Sequence, residues 1–153
     1  MPFRTRKSSL SAPMVLCLKT RKSRTLPGLQ ILMKNIIVVT GGAGFVGSNL
    51  INFFIKKTKL KIISIDNYSS GKKKNHLNNK RIKYLKGNTK DINLILKNYK
   101  KKINSIFHFG EFARIYQSFK KFNQCYESNS IGTKEIFKFC LDNNIKLIYS
   151  ATS

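Results

Sequence analysis

A glycine-rich turn between a strand and a helix constrains the fold of this chain more than any other feature. Residues 40–47 (TGGAGFVG) follow the short β-branched run Ile36–Thr40, which has the character of a buried strand. An amphipathic stretch from Phe45 to about Lys57 comes next and predicts a helix. A strand, a glycine turn and a helix in this order are typical of α/β domains that bind nucleotides.

Each glycine of the turn has a separate predicted role. Gly41 permits a tight turn out of the strand, Gly44 leaves room for a pyrophosphate beside the backbone, and Gly47 allows close helix packing. The helix N-terminus, with Phe45 and Val46 in its first turn, presents free N–H groups and a partial positive charge to phosphate. These five residues are the first predicted cofactor contacts.

A carboxylate at the end of the next strand strengthens this interpretation. The predicted strand Lys61–Asp66 ends 19 residues after Gly47. Asp66 is therefore where a dinucleotide-binding domain holds the adenosine ribose hydroxyls, and its charge would repel a 2′-phosphate. The sequence thus favours NAD over NADP, although the nearby cations Lys72–Lys74 could accept that phosphate.

Strands and helices continue to alternate along the chain. The further predicted strands are Ile82–Leu85, Ile103–Phe109 and Ile145–Ser150, and the further helices are Asp91–Tyr99 and Ser130–Asp142. Alternating βαβ units require a parallel sheet with right-handed crossovers. We predict a Rossmann-type, doubly wound α/β fold of about five strands in the order 3-2-1-4-5, incomplete on its C-terminal side.

Composition excludes several classes of protein. Thirty Lys and Arg against six Asp and Glu give a net charge of +24, which suggests either an anionic partner or solvated surface lysines. The basic residues lack interleaved aromatics, so a nucleic-acid partner is not favoured. No run approaches the ~18 apolar residues of a membrane helix. Three cysteines without C-x-x-C spacing argue against a disulfide framework and a metal site, and favour the cytoplasm.

Residues 1–32 differ in composition from the rest. All three prolines lie there, and every acidic residue comes later. We expect a disordered basic extension, followed by an NAD-binding domain over 33–153. Three origins stay open for the extension: a transit-like segment, a weak signal peptide, or an upstream artefact with the true start at Met33.

Five further motifs resemble one family. They are Asp66–Gly71 (DNYSSG), Gly87–Asp91 (GNTKD), His108–Gly110 (HFG), Asn129–Thr133 (NSIGT) and Tyr149–Thr152 (YSAT). In this order they resemble the extended short-chain dehydrogenases/reductases of the nucleotide-sugar epimerase/dehydratase type, in particular the UDP-glucose 4-epimerases. The resemblance covers the whole chain after Leu32 and implies the N-terminal, NAD-binding part of such an enzyme.

The resemblance also implies roles for single residues. The further cofactor contacts that it implies are Asn67, Ser70, Gly71, Asn88, Thr89, Phe109, Gly110, Asn129 and Ser150. Thr152 would be catalytic and would hydrogen-bond the reacting hydroxyl of the sugar. Glu111 departs from the small residue of the family, and a carboxylate there puts the fit of the cofactor in question. Asn129 has an alternative role as a helix N-cap, whereas His108 is expected to be a packed strand residue.

The activity that the resemblance implies is transient oxidation of a nucleotide sugar at C4, followed by its re-reduction, with NAD as cofactor. The resemblance also implies that the longer enzyme is a homodimer. The family's general base lies in a Tyr-x-x-x-Lys pair beyond the position of Thr152. The one match to that spacing here, Tyr116–Lys120, lies in the wrong element. We therefore expect this truncated chain to be inactive by itself.

Two other functions remain open at this point. One is a dehydratase or decarboxylase of the same superfamily, although Ser153 replaces the Asp that follows the catalytic Thr in 4,6-dehydratases. The other is a noncatalytic module that binds NAD or nucleic acid.

Overall fold

The computed structural model describes residues 34–150 and the backbone of residues 15–17. The strands are β1 Val15–Cys17, β2 Ile36–Thr40, β3 Lys61–Asp66, β4 Ile82–Lys86, β5 Ile103–His108 and β6 Lys146–Ser150. The α-helices are α1 Phe45–Lys57, α2 Ile92–Ile95, α3 Ile115–Lys120, α4 Phe122–Tyr126 and α5 Thr133–Asp142. A π-helical segment, Glu127–Gly132, joins α4 to α5.

The strands form one sheet in the order β1-β6-β5-β2-β3-β4. Strands β2 to β6 are parallel, and counted from β2 their order is the predicted 3-2-1-4-5, so the predicted Rossmann-type fold is confirmed. Thr40 at the end of β2 aligns with Ile65 on one side and His108 on the other. The chain runs from β2 to β3 and β4 on one side and then crosses to β5 on the other side of β2, and this reversal of strand order creates a crevice at the carboxyl ends of these strands.

Strand β1 pairs with β6 in the antiparallel direction, with Val15 opposite Ser150. Among the described residues, β1 and not β6 is therefore the edge strand on this side of the sheet. The physical reason is that an open strand edge presents unpaired N–H and C=O groups, which a short extended run can satisfy. Residues 1–14 and 18–33 lie outside the described residues.

Side chains alternate between the two faces of the sheet and form two cores. On one face, Ile36 and Val38 of β2 pack in a cluster with residues of α2 and α5, including Ile136 and Phe139. On the other face, Ile37 and Val39 pack with Ile51 of α1. Full coverage of both faces explains why the central strands are almost continuously apolar.

Two predicted helices differ from the structure. The helix expected over Asp91–Tyr99 is a 3₁₀ turn followed by the four-residue α2, and the Asp91 side chain makes no capping bond. The helix expected from Ser130 starts as the π-helical segment, where Gly132 packs so closely against Thr89 that a Cβ would meet its hydroxyl oxygen at 2.0 Å. The wider helical turn leaves Ile131 38% exposed.

Over residues 34–150, no helix combines the length and apolar character needed to cross a bilayer. The same part of the chain contains no group of three or more His, Cys, Asp or Glu residues placed to hold a metal ion. Cys125 and Cys140 are free thiols.

Candidate functional site

A cleft lies at the carboxyl ends of β2, β3 and β5. Its walls come from the glycine turn, from the loops after β3, β4 and β5, and from the start of the π-helical segment. The lining residues are Gly41, Gly44, Ile65, Asp66, Asn67, Ser69, Ser70, Gly87, Asn88, Thr89, Lys90, Phe109, Gly110, Glu111, Gln124, Glu127 and Ser128. Most of the predicted contacts are therefore in one place.

Backbone geometry explains the glycines at the mouth of the cleft. Gly41 has a φ of +70°, and a Cβ there would lie 2.5 Å from the carbonyl oxygen of Phe109. Gly44 occupies the N-cap position of α1, and no side chain caps the helix. The first-turn amides of α1 are consequently free for a ligand, as predicted from the spacing.

The close approach of α1 to the sheet depends on a glycine that the motif analysis left without a role. A Cβ on Gly42 would lie 2.0 Å from Oγ of Ser64, inside β3. A Cβ on Gly47 would instead meet the carbonyl oxygen of Gly41 at 2.3 Å. Gly47 thus packs on the turn itself, and Gly42 is the residue that permits contact with the sheet.

Asp66 is held at the end of β3 facing the glycine turn. Asp66 is only 9% exposed to solvent. Oδ2 accepts a hydrogen bond from the Ala43 N–H at 2.9 Å, and Oδ1 accepts one from the Tyr68 N–H at 2.8 Å. Each carboxylate oxygen retains a lone pair for a ligand hydroxyl. Gly71 supports this position, because a Cβ there would lie 2.9 Å from Oδ2 of Asp66.

Amide side chains line the cleft beyond Asp66. Asn67 donates through Nδ2 to Oδ1 of Asn88 at 3.1 Å, and its own Oδ1 accepts from the Ser69 N–H at 2.9 Å. Thr89 is 8% exposed and lies beneath them, in contact with the π-helical segment. Asn67 and Asn88 therefore form one polar surface beside the carboxylate.

On the β5 side, hydroxyl groups and a buried imidazole join three elements. The N–H groups of Phe109 and Gly110 both donate to Oγ1 of Thr40 at 3.2 Å. His108 is fully buried, as expected for a packed strand residue. Its Nδ1 lies 2.7 Å from Oγ1 of Thr40, and its Nε2 lies 3.0 Å from Oγ1 of Thr133. Burial lowers the pKa of His108 to about 4, so the imidazole is neutral at neutral pH.

Glu111 follows this strand and is part of the cleft wall. Its Oε1 accepts hydrogen bonds from the Thr133 hydroxyl at 3.2 Å and the Tyr149 hydroxyl at 2.7 Å. Burial, together with the adjacent Glu111 carboxylate, raises the pKa of Tyr149 to about 12. Tyr149 is therefore a hydrogen-bond donor at neutral pH.

Asn129 has a structural position that its motif did not reveal. Its Oδ1 accepts from the Phe112 N–H at 2.6 Å, and its Nδ2 donates to the Phe112 carbonyl at 3.1 Å. The helix N-cap alternative is wrong, because Asn129 lies within the π-helical segment. The neighbouring Ser128 donates to the Gly110 carbonyl at 3.1 Å, so this segment fixes the loop after β5.

Several predicted residues lie outside the cleft lining. Phe45 and Val46 are 82% and 56% exposed at the start of α1. Ser150 is exposed at the end of β6. Gly47, Gly71 and Asn129 act through packing or hydrogen bonds behind the wall. Thr152 lies outside the described residues.

Lining residues that sequence reasoning missed come from segments far apart in the chain. Lys90 and Glu127 form an ion pair at 3.2 Å, and Gln124 lies beside them in the cleft. Their proximity depends on the packing of α4 and the π-helical segment, so no local spacing signals it. Tyr116 and Lys120 are absent from the lining: Lys120 lies over the Tyr116 ring at 5.4 Å on the exposed α3.

The crevice at the switch of strand order, the free helix N-terminus and the carboxylate after β3 define a Rossmann-type dinucleotide-binding domain. The family model of the NAD-dependent epimerase/dehydratase family matches residues 37–153. The chain belongs to this family, and the resemblance inferred from its motifs is confirmed.

Relatives within the family carry out different reactions. An ADP-L-glycero-D-manno-heptose-6-epimerase of Brachyspira hyodysenteriae is 34% identical over 77% of this chain and 37% of its own length. A dTDP-D-glucose 4,6-dehydratase of Dictyostelium discoideum is 33% identical over 76% of this chain and 28% of its own. A solved UDP-glucose 4-epimerase of Thermotoga maritima, crystallised with UDP-glucose, has a TM-score of 0.68 at 27% identity. The match covers 76% of this chain and 38% of that enzyme.

The chain spans about a third of the length of these three relatives. NAD is the cofactor of the matching family. The prediction of NAD is thereby confirmed at the level of the family.

Proposed function

We propose that residues 33–153 are the NAD-binding part of a nucleotide-sugar epimerase that acts on C4 of its substrate. The observation that carries this proposal is the Asp66 carboxylate, hydrogen-bonded to the N–H of Ala43, the residue directly before the uncapped N-terminus of α1. A carboxylate and a free helix N-terminus on two sides of one crevice match the ribose and pyrophosphate of a dinucleotide.

Several described residues supply the groups that such a cofactor needs. Gly41 and Gly44 leave the backbone open to the pyrophosphate, and Asp66 accepts from the adenosine ribose. The amides of Asn67 and Asn88 lie where the adenine would be bound, and Phe109 and Gly110 border the nicotinamide side. Bound NAD supplies reversible uptake of a hydride from C4 of the sugar. Thr152 is assigned by resemblance to the hydrogen bond with the reacting hydroxyl, and Ser150 to the cofactor.

A dehydratase is the second candidate, because a 4,6-dehydratase is among the relatives at a similar identity. Ser153 stands where those enzymes have Asp, and this substitution favours the epimerase. A nucleotide sugar is the substrate class in both cases. We also propose a cytoplasmic location, for which the free thiols Cys125 and Cys140 are the support.

A homodimer of the longer enzyme is part of the proposal. Helices α3 and α4 present large apolar side chains that are more than half exposed: Ile115, Tyr116, Phe119, Phe122 and Tyr126. Large exposed apolar side chains concentrated on two adjacent helices support a site of association here. The molar mass of the wild type and of Phe119→Glu, measured by light scattering, would test this surface. An equal mass for the two proteins would contradict its role in assembly.

Isothermal titration calorimetry tests the cofactor assignment by measuring the dissociation constants of NAD and NADP. We expect the chain to bind NAD more tightly than NADP, because Asp66 repels a 2′-phosphate. Asp66→Ala should weaken NAD binding by about tenfold, since it removes one charge-assisted bidentate contact. The difference between the affinities for NAD and NADP should become smaller. Asp142→Ala, an exposed carboxylate at the end of α5, is the matched control and should change neither affinity.

Equal or tighter binding of NADP would show that Lys72–Lys74 determine the choice of cofactor. Binding of neither dinucleotide at millimolar concentration would overturn the proposed function.

A further inference from the structure

Acidic residues are concentrated in the cleft. The chain has 30 Lys and Arg but only six Asp and Glu. Three of those six, Asp66, Glu111 and Glu127, line this cleft, whereas Lys90 is the one cation among the described lining residues. Because Lys90 is paired with Glu127 at 3.2 Å, its charge is compensated locally. Two carboxylates, Asp66 and Glu111, have no cation within salt-bridge distance in the described part of the chain.

The two carboxylates lie on opposite sides of β2. Asp66 ends β3, and Glu111 follows β5, with the glycine turn between them. A dinucleotide in this crevice places its pyrophosphate at the N-terminus of α1 and its adenosine ribose at Asp66. The second nucleoside then extends over the end of β5. Glu111, which directly follows Gly110, therefore lies on the nicotinamide side of the cleft.

Hydrogen bonds fix this carboxylate in place, and their directions are consistent. The N–H groups of Phe109 and Gly110 donate to Thr40, so the Thr40 hydroxyl donates to Nδ1 of His108. A neutral imidazole with Nδ1 as acceptor carries its proton on Nε2, which donates to Thr133. The Thr133 hydroxyl then donates to Glu111.

Glu111 is thus the final acceptor of a chain of hydrogen bonds that starts in the backbone after β5. It also accepts the hydroxyl proton of Tyr149 at 2.7 Å, and both donors are neutral. These bonds orient the carboxylate but do not cancel its charge.

We propose that Glu111 makes the cleft discriminate between the two redox forms of the dinucleotide, with tighter binding of NAD⁺ than of NADH. The inference rests on the proposed function and deepens it. The oxidised nicotinamide ring carries a positive charge and the reduced ring carries none, so a fixed carboxylate attracts one form alone. A ligand form is selected only by such differential interaction.

Dissociation constants of NAD⁺ and NADH for the full 153-residue chain test this inference. We expect the ratio Kd(NADH)/Kd(NAD⁺) to exceed about 10 in the wild type, the effect of one partly screened charge at close range. Glu111→Gln keeps an acceptor oxygen for Thr133 and Tyr149 but removes the charge, and should bring the ratio close to 1. Asp142→Asn removes an equal charge outside the cleft and should leave the ratio unchanged.

Tyr149→Phe is a second variant that removes one donor and preserves the charge. It should keep the wild-type preference, which separates charge from hydrogen bonding. If Glu111→Gln does not fold, the wild-type ratio and Tyr149→Phe still decide: a ratio near or below 1 in the wild type would overturn the inference.

The inference about Glu111 would also be overturned if Kd(NADH)/Kd(NAD⁺) had the same value in the wild type and in Glu111→Gln. In that case, NAD binding that depends on Asp66 would still support the proposed function. Failure of both redox forms to bind would overturn the proposed function, and this inference with it.

Discussion

The two sides of the cleft are built in different ways. On the β3 side, backbone atoms of the glycine turn meet one carboxylate, and the principal contact joins Ala43 to Asp66. On the β5 side, side chains of β2, β5 and α5 form a chain of hydrogen bonds that ends at Glu111, which also accepts a hydrogen bond from Tyr149 of β6. The first arrangement depends on residue types in one strand–turn–helix–strand unit. The second depends on contacts between segments that are far apart in the chain.

The largest effect is expected for Gly41→Ala on the β3 side. The substitution adds a Cβ to a residue whose φ is +70°. That Cβ would lie 2.5 Å from the backbone carbonyl oxygen of Phe109, the residue that follows β5. We expect a loss of about 3–5 kcal/mol in the free energy of unfolding, because neither strain nor clash can relax without moving a strand end. Urea unfolding followed by circular dichroism measures it.

Gly44→Ala is the control for that experiment, since Gly44 has a φ of −77° and a Cβ there would meet its nearest atom at 3.2 Å. It should cost less than about 1 kcal/mol. Similar losses for the two alanines would refute the role given to the Gly41 turn.

A pH-dependent loss of stability is expected from the β5 side. Because burial lowers the pKa of His108 to about 4 from 6.5, the unfolded chain binds a proton that the folded chain excludes between these values. His108 therefore contributes stability that is complete above about pH 6.5 and is lost as the pH falls towards 4, by about 2–3 kcal/mol. Urea unfolding at about pH 7.5 and about pH 4.5 measures the difference.

His108→Gln should flatten this dependence, because Gln has a donor near the Nε2 position but no proton to bind. The variant should be less stable than the wild type at neutral pH, since Thr40 loses its partner. A pH profile identical to that of the wild type would mean that another group governs it.

The smallest effect is expected for Asn129→Ala. The amide makes two hydrogen bonds to the backbone of Phe112, and their loss leaves partly buried groups without partners. We expect a loss of about 1–2 kcal/mol in thermal or urea unfolding. Asn49→Ala is the matched control: Asn49 is exposed and makes one bond, to the Phe45 carbonyl. Equal losses at both positions would contradict the idea that Asn129 holds the loop after β5.

Strong local patterns made part of the fold predictable. The bounds of β2, α1 and β3 are those expected from the sequence, because β-branched runs and a 3.6-residue apolar period are local signals. The prediction for the stretch after β4 was wrong in detail: the α-helix there has only four residues and ends at Ile95, and a separate 3₁₀ turn, Lys100–Lys102, follows it. Strand β1 was missed because its partner, β6, is almost the whole chain away.

The same distinction applies to the site. Gly41, Gly44 and Asp66 were found from spacing, whereas Lys90 and Glu127 meet only through the packing of the π-helical segment. The sequence identified Glu111 as unusual, but its partners Thr133 and Tyr149 required the three-dimensional structure. Long-range hydrogen bonds between hydroxyls and carboxylates have no sequence period and therefore give no pattern to recognise.

The buried imidazole has a consequence for spectroscopy. The proton on Nε2 of His108 is donated to a hydroxyl in a region where the ring is fully shielded from solvent. Such protons exchange slowly with water because exchange requires local opening. In a proton NMR spectrum this nucleus should give a resolved signal far downfield of the backbone amides. Since it is two hydrogen bonds away from the Glu111 carboxylate, its chemical shift would report on whatever occupies the cleft without any added label.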